Sequence, residues 1–559
     1  MASNARPTSE GGLSKWQIAV AIGAPLAVGL AVGAYFYTRK SSKEKPPSEE
    51  DGTKGNAADK KPEEEPVQTP TEKAQSSKSK GNKFFKAQQY EKAIKFYTEA
   101  IEISPPENKQ DLSTFFQNRA AAQEQLKNYK EVIEDCSKAL DLNPKYVKAL
   151  FRRAKAYEMV EEKMKCLEDT TAVCILEGFG HQQGMFLADK MLKELGKEKA
   201  HQTYKERKPS LPSGQFIRSY FSSFSNDGIT SNSDAYVSEG EPSSGFLKAV
   251  KAFHDGEYAA ITDLCTEEID SDGQYLPHAL LMRASFLLLK GQAALAKPDL
   301  DRLIAMEDSD KKLRANALIK KGSMHMQEGN ALDAMDVFAA AVRIDPDNAD
   351  IYHHRGQLNL LLEKVDDAVK DFEKCRSLNS EFGLAYAQYC YARYRMALIL
   401  QSPMQMQEAL KQLEECTTKF PSCAEGFALY AQALNDQGNY ERADENFQKA
   451  IAIEPDNPTA HVHRGLLQLA WKKEPDTAVA MINKALEIDD RCDFAYETLG
   501  TIEVQRGNLS AAQGYFDKAI KLARTEIEMA HLYSLSIAAE AQDRVTKKYA
   551  ITPPKQPFP

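Results

Sequence analysis

The feature that most constrains the fold of this chain is a sequence pattern that returns with a period of about 34 residues. In its first copy, Gly81 is followed by Ala93, Tyr97 and Ala100, and a proline comes shortly afterwards. The same spacing of small, alanine, aromatic and small residues returns from Gly322, Gly356, Ala431 and Gly500. Small residues let two helices cross closely while an aromatic ring fills the remaining space, and proline favours a new turn. The pattern therefore predicts a series of stacked helix hairpins.

Weaker copies of the pattern extend it over most of the chain. Their small residues, at or near the expected site, include Ala120, Ala154, Ala249, Ala284 and Gly465. We count about eleven copies, three before a break at residues 207–241 and eight after it. This is the tetratricopeptide pattern, and it predicts an all-α helix-hairpin superhelix that closes with a capping helix over about 524–549. The repeats use the folded length, so no separate catalytic domain is expected. We predict a protein that is not an enzyme and has no cofactor.

Charge and cysteine use narrow the function classes further. The formal net charge of −9 argues against a nucleic-acid binder that relies on bulk positive charge. The nine cysteines form no CxxC pair and fall mostly within helical patterns, so buried reduced thiols in a reducing compartment are expected. His353, His354 and the HVH at 461–463 are expected to be exposed on the surface or the groove. No third ligand accompanies them, so we predict no metal site.

The amino-terminal part differs in kind from the repeats. Residues 16–37 carry no charge over 22 positions, which at about 1.5 Å per residue spans a bilayer core of about 30 Å. A secretory signal would have a shorter apolar region. Four cations follow the span, whereas two precede it, which favours a retained anchor whose carboxyl side faces the cytosol. A short tail (1–15) precedes the anchor, and a disordered charged linker (38–73) is expected after it.

The remaining chain divides into two repeat blocks. We predict an N-terminal domain of three repeats over 74–206, a linker over 207–241, and a C-terminal domain of about eight repeats and the cap over 242–559. Within the linker, FIRSYFSSF at 216–224 is too aromatic for a pure linker. Two interpretations remain open for it: docking on a neighbouring helix, or a short satellite cluster.

A candidate binding site comes from the positions that face the groove. First helices of stacked hairpins line the concave side, and repeat positions 2, 5, 6 and 9 share that face. In the first three repeats these positions hold three cations and two amides: Lys78, Asn82, Asn118, Lys148 and Arg152. Such donors suit a ligand with two clustered carboxylates, for example an acidic chain terminus. Arg153 and Lys155 belong to the same basic run, and we predict them to be surface residues outside the stripe.

Three short motifs carry a resemblance to a known class of sites. KSKGN (78–82), QNR (117–119) and KALFR (148–152) resemble the two-carboxylate clamp of tetratricopeptide co-chaperones. The resemblance implies that the five residues bind the Glu-Glu-Val-Asp tails of the seventy- and ninety-kilodalton heat-shock chaperones.

The whole chain also resembles one receptor family. The order of its segments is similar to that of the seventy-kilodalton receptors of the outer mitochondrial membrane translocase: an anchor, a linker, three clamp repeats, a break, eight repeats and a cap. Stretches such as NPKYVKALFRRAKAYE and CDFAYETLGTIEVQRGN also carry this resemblance. The resemblance implies a single-pass protein with its N-terminus in the intermembrane space. It also implies a receptor for chaperone-delivered precursors with internal signals, such as carriers, and contacts with other translocase subunits. The alternative is a chaperone-docking receptor or scaffold on another organelle membrane.

A second candidate site is apolar and lies in the later repeats. Groove positions there hold Leu281, Met282, Ile319, Ala428 and Leu429. An apolar groove with adaptable methionine suits hydrophobic precursor segments. The alternative is that these side chains pack against the next turn of the superhelix.

Overall fold

The computed structural model describes residues 69–227, 229 and 243–550. Within these ranges the regular elements are α-helices and one short 3₁₀ turn, Tyr258–Ala260. The helices before the gap are α1 (Pro70–Lys86), α2 (Tyr90–Ile103), α3 (Lys109–Gln125), α4 (Tyr129–Leu142), α5 (Val147–Met159), α6 (Lys163–Leu176), α7 (Gln182–Glu206) and α8 (Gly214–Ser222). Those after it are α9 (Gly245–His254), α10 (Ile261–Asp270), α11 (Leu276–Leu289), α12 (Ala293–Ala305), α13 (Lys311–Gln327), α14 (Ala331–Ile344), α15 (Ala349–Leu361), α16 (Val365–Leu378), α17 (Gly383–Ile399), α18 (Pro403–Lys419), α19 (Ala424–Asp436), α20 (Tyr440–Ile453), α21 (Pro458–Lys472), α22 (Pro475–Ile488), α23 (Asp493–Arg506), α24 (Leu509–Leu522) and α25 (Glu526–Tyr549).

The predicted anchor at 16–37 lies outside the described residues, as do the tail 1–15 and the linker up to residue 68. In the part of the chain that is described, no helix combines the length and the apolar character needed to cross a bilayer.

The helices pair into hairpins as the repeat pattern predicts. Helices α1–α6 form three hairpins and α9–α24 form eight, and in each the two helices pack side by side. This pairing confirms the all-α hairpin architecture, and α25 is the predicted final helix. Helices α7, α8 and α25 stand outside the hairpins of the described ranges.

Contacts between a glycine and an aromatic ring hold the hairpins together. A Cβ on Gly81 would lie 2.6 Å from the ring of Tyr97, and one on Gly322 would lie 2.6 Å from that of Phe338. Gly356 and Gly500 meet Phe372 and Phe516 in the same way. The ring occupies the space of the missing side chain, so the small residue sets how closely the two helices approach.

The structure divides into two compact units. We call residues 69–195 and 534–550 the clamp unit, and residues 196–227, 229 and 243–533 the large unit. The predicted division placed the whole of 242–559 in the second domain. The structure instead groups the last part of α25 with the first repeats, because Val545 and Tyr549 share a hydrophobic cluster with Leu150 and Val173.

The cysteines behave as buried thiols. All nine are free, and eight are buried, with Cys423 partly exposed. Burial raises the pKa of the Cys166 thiol to about 12, so it stays protonated at neutral pH. The prediction of buried cysteines is thereby confirmed.

Candidate peptide-binding sites

The five predicted clamp residues stand on the first helices of three successive hairpins. Lys78 and Asn82 lie one turn apart on α1, and Lys148 and Arg152 lie one turn apart on α5. Asn118 lies on α3, between them in the order of the hairpins. Lys148 is exposed, and the other four are half-buried.

Local hydrogen bonds orient two of these side chains. The Tyr97 hydroxyl donates to Asn82 Oδ1 at 2.8 Å, which directs the amide NH₂ group of Asn82 away from the ring. Lys78 Nζ donates to Gln75 Oε1 on the same helix at 3.4 Å. The aromatic residue that fills the hairpin therefore also positions a clamp residue.

Glu124 is a residue of the candidate clamp that the sequence pattern did not reveal. Arg152 Nε donates to Glu124 Oε2 at 2.8 Å, and the Lys155 ammonium bonds to the other carboxylate oxygen. Burial acts to raise the pKa of Glu124, but the hydrogen bonds from Lys155 and Arg152 outweigh it and lower the pKa. Arg152 therefore already holds a carboxylate, which is supplied by α3.

The structure corrects the prediction for Lys155. Its side chain is 42% exposed but is paired with the same carboxylate as Arg152, so it is not a merely solvated residue. Residues three apart on a helix share a face, and this spacing from Arg152 is the signal that was available in the sequence.

The prediction that Arg153 is a surface residue is wrong. Arg153 is buried, and its guanidinium binds the carboxylate of Asp169 on α6 through two hydrogen bonds. The residue directly before the small site of a repeat faces the second helix of its own hairpin. An aspartate sixteen residues further along the sequence was the available signal.

In the large unit, all five predicted groove residues are core residues. Leu281, Met282, Ile319 and Leu429 are buried within the main hydrophobic cluster, as in the alternative of packing between turns. Ala428 belongs to the same cluster, and it also lines a cavity.

The cavity has a volume of about 260 Å³. One wall consists of Leu211, Phe216, Ser219 and neighbouring residues from the stretch before α9. The facing wall includes Ala428 and Phe494 on the first helices of later hairpins, and Arg524 between α24 and α25. The Arg524 guanidinium lies 4.0 Å from the centroid of the Phe216 ring. The stretch predicted as a linker therefore forms part of this cavity.

The predicted exposure of the histidines is wrong. His353, His354 and His463 are all buried, and His461 is half-buried. Burial lowers the pKa of both His353 and His463 to about 3, so these rings are neutral at physiological pH. In the described ranges, no three histidine, cysteine or acidic side chains gather as a metal site would require.

Comparison with known proteins identifies the repeats and the relatives of this chain. Tetratricopeptide repeat families match residues 80–107, 114–146, 281–349, 349–382 and 391–422, and a family described as "TPR repeat" matches 431–470. Human mitochondrial import receptor subunit TOM70 is 52% identical over 97% of this chain and 94% of its own length. The Hsp70/Hsp90 co-chaperone CNS1 of Saccharomyces cerevisiae is 41% identical over 16% of this chain and 23% of its own length. The crystal structure of yeast Tom70 aligns with a TM-score of 0.48 at 23% identity, covering 86% of this chain and 99% of that one.

Proposed function

The chain belongs to the TOM70 family of mitochondrial import receptor subunits, and we propose that it binds chaperone tails in its clamp unit and precursor segments in its large unit. As a member of this family it is a mitochondrial import receptor built from tetratricopeptide repeats. In our proposal, residues 16–37 anchor it in the outer membrane as a single pass, with its N-terminus in the intermembrane space. The repeats then lie in the cytosol, where the chaperones are.

The pairing of Arg152 with Glu124 is the observation that carries the chaperone-tail proposal. In this pair, Arg152, which the clamp motif assigns to carboxylate binding, already binds the carboxylate of Glu124. A chaperone tail ending in Glu-Glu-Val-Asp offers a terminal carboxylate and an aspartate side chain, and it would displace Glu124. Lys78, Asn82, Asn118 and Lys148 add charged and amide donors from the same face of the three hairpins. The similarity to a co-chaperone supports this ligand class.

The precursor site is proposed for the cavity of the large unit. Ala428 lines it directly, whereas Leu281, Met282, Ile319 and Leu429 lie in the main hydrophobic cluster. The cavity offers apolar side chains together with Glu425, Asp493 and Arg491. We propose that a hydrophobic segment of a chaperone-delivered precursor, such as a carrier, binds there before it passes to the import pore through other translocase subunits.

One substitution tests the clamp. Arg152→Ala should abolish binding of a Glu-Glu-Val-Asp peptide in a calorimetric titration, while circular dichroism shows unchanged helicity. Lys138→Ala is the control, because Lys138 lies on a second helix and pairs with Glu134 rather than with a clamp residue. Unchanged affinity in Arg152→Ala would overturn the assignment.

A further inference from the structure

A stretch of the chain itself occupies the large unit in the manner of a bound peptide. We call residues 213–227 the internal segment. Ser213 caps α8 by accepting a hydrogen bond from the backbone N–H of Phe216 at 3.2 Å. Ile217, Tyr220, Phe221 and Phe224 are buried in the main core of the large unit. Of the two interpretations of this aromatic stretch, docking on neighbouring helices is therefore confirmed.

The internal segment surrounds one buried lysine. Lys320 on α13 is fully buried, and its ammonium lies 4.7 Å, 5.4 Å and 4.2 Å from the ring centroids of Tyr220, Phe221 and Phe224. Its remaining contacts include the Tyr220 hydroxyl at 3.2 Å and the Asp227 carboxylate at 3.7 Å. An aromatic cage and a carboxylate are both attractive surroundings for an ammonium group.

Lys320 occupies the same position in its repeat as Arg152 does in the third repeat of the clamp. Each lies two residues before the small residue of its repeat, which is Gly322 in one and Ala154 in the other. Asn316 lies six residues before Gly322, as Lys148 lies six before Ala154. Asn316 Nδ2 donates to Asp227 Oδ2 at 3.1 Å. The two repeat positions that we assign to carboxylate binding in the clamp unit therefore contact the carboxylate of Asp227 in the large unit.

The following repeat extends the same arrangement. Asp350 and His354 lie six and two residues before Gly356. The carboxylate of Asp350 accepts hydrogen bonds from the backbone N–H groups of Ser225 at 2.7 Å and Asn226 at 3.0 Å. The ring of His354 lies 4.3 Å from that of Phe224, centroid to centroid. Four side chains on two hairpins therefore contact the backbone, the rings and the carboxylate of the internal segment. All four stand at the repeat positions that Lys148 and Arg152 occupy in the clamp.

We propose that the large unit contains a second peptide-binding site, formed by Asn316, Lys320, Asp350 and His354, to which residues 213–227 bind in cis. Its ligand class is a short aromatic helix followed by an acidic residue. A peptide of that class from another molecule competes with the internal segment, which has the advantage of a high effective concentration. This site goes beyond the proposed function, because its ligand is neither a chaperone tail nor a precursor, although Phe216 and Ser219 of the internal segment also line the cavity.

The test uses a fluorescent peptide with the sequence of residues 213–227 and the full chain carrying Phe224→Ala and Asp227→Asn. These substitutions remove one ring and the carboxylate from the cis ligand and leave the four site residues intact. We expect the double variant to bind the peptide at least about tenfold more tightly than the natural chain, because the competing segment is weakened. Adding Lys320→Ala should abolish the gain, whereas adding Arg152→Ala should leave it unchanged. Equal affinity for the natural chain and the double variant, or a gain that Lys320→Ala does not remove, would overturn the proposal.

Hydrogen exchange on the natural chain keeps the proposal testable if the double variant does not fold. The amides of Ser225 and Asn226 bond to Asp350, so they report directly on release of the segment. A ligand bound in cis leaves without global unfolding, so these amides should exchange at least about tenfold faster than those in the middle of α13 and α15. Equal protection would identify the segment as a fixed part of the core, and the proposal would then fail.

Discussion

The guanidinium of Arg153 binds the carboxylate of Asp169 through two parallel hydrogen bonds, 2.7 Å from Nε and 2.8 Å from Nη2. Its third nitrogen, Nη1, donates to Ser137 Oγ at 3.0 Å, so one side chain joins α5, α6 and α4. The same sixteen-residue spacing returns in Arg119–Asp135, Arg283–Asp299 and Arg355–Asp371. The pair is therefore a recurrent link within the hairpins, and it explains why Arg153, unlike its neighbours in the basic run on α5, is structural.

Asp169→Ala should destabilise the clamp unit strongly. Both members of the pair are buried, so the substitution leaves the Arg153 guanidinium without its carboxylate, at a cost of about 3–5 kcal/mol in the free energy of unfolding. Urea denaturation followed by circular dichroism measures the change. Glu134→Ala breaks the exposed pair with Lys138 and should leave the midpoint almost unchanged. If the two variants unfold alike, the buried pair has no special structural role.

Glu124→Gln should strengthen binding of a Glu-Glu-Val-Asp peptide. The neutral amide competes less well for Arg152 and Lys155, so both cations become more available to the peptide carboxylates. We expect an affinity gain of about three- to tenfold by titration. Glu134→Gln, which removes a carboxylate remote from Arg152, is the matched control. A weaker affinity in Glu124→Gln would mean that Glu124 holds Arg152 in its binding position instead of competing for it.

Gly322→Ala should destabilise the large unit, whereas Gly514→Ala should not. A methyl group on Gly322 would lie 2.6 Å from the ring of Phe338, so the hairpin must open, at a cost of about 1–3 kcal/mol in the free energy of unfolding. Gly514 lies inside α24 with no heavy atom within 4 Å of the added Cβ. There alanine should be neutral or stabilise by up to about 1 kcal/mol, because it is the better helix former. Thermal unfolding of both variants distinguishes packing from helix propensity.

Acidification should weaken the large unit through its buried histidines. The unfolded chain protonates His463 near its ordinary pKa of 6.5, while the folded protein does so only near 3. The unfolded state therefore binds more protons between these values, so this contribution to stability is complete above pH 6.5 and falls as the pH decreases towards 3. His463→Gln should reduce the slope of the unfolding free energy against pH by up to about 1.4 kcal/mol per pH unit. His254→Gln, at an exposed position, is the matched control for the substitution. Identical slopes in the natural chain and His463→Gln would contradict this assignment.

Deletion of residues 1–40 should release the protein from membranes. If residues 16–37 are the anchor, the truncated chain fractionates with the cytosol, while the full-length chain is found with mitochondria. The truncated chain should still bind the Glu-Glu-Val-Asp peptide, because all five clamp residues are retained. Retention of the truncated chain on membranes would place the anchor elsewhere.

The sequence by itself determined the hairpin architecture and the positions of the clamp residues. Both follow from spacings within one repeat: Gly322 meets Phe338 sixteen residues away, and Lys148 and Arg152 lie one turn apart on one helix. Contacts between residues of the same repeat recur in every repeat, so the period of the sequence is enough to predict them.

Only the tertiary structure decided which partner the side chain at each groove-facing repeat position contacts. Lys320 meets Tyr220 across one hundred residues, and Arg152 meets Glu124 from another hairpin. No sequence period links such partners, because the stacking of hairpins brings them together and a non-repeating segment enters between them. The same repeat position therefore holds a cation in both units. In the clamp unit Arg152 pairs with Glu124, whereas in the large unit the aromatic rings of the internal segment surround Lys320.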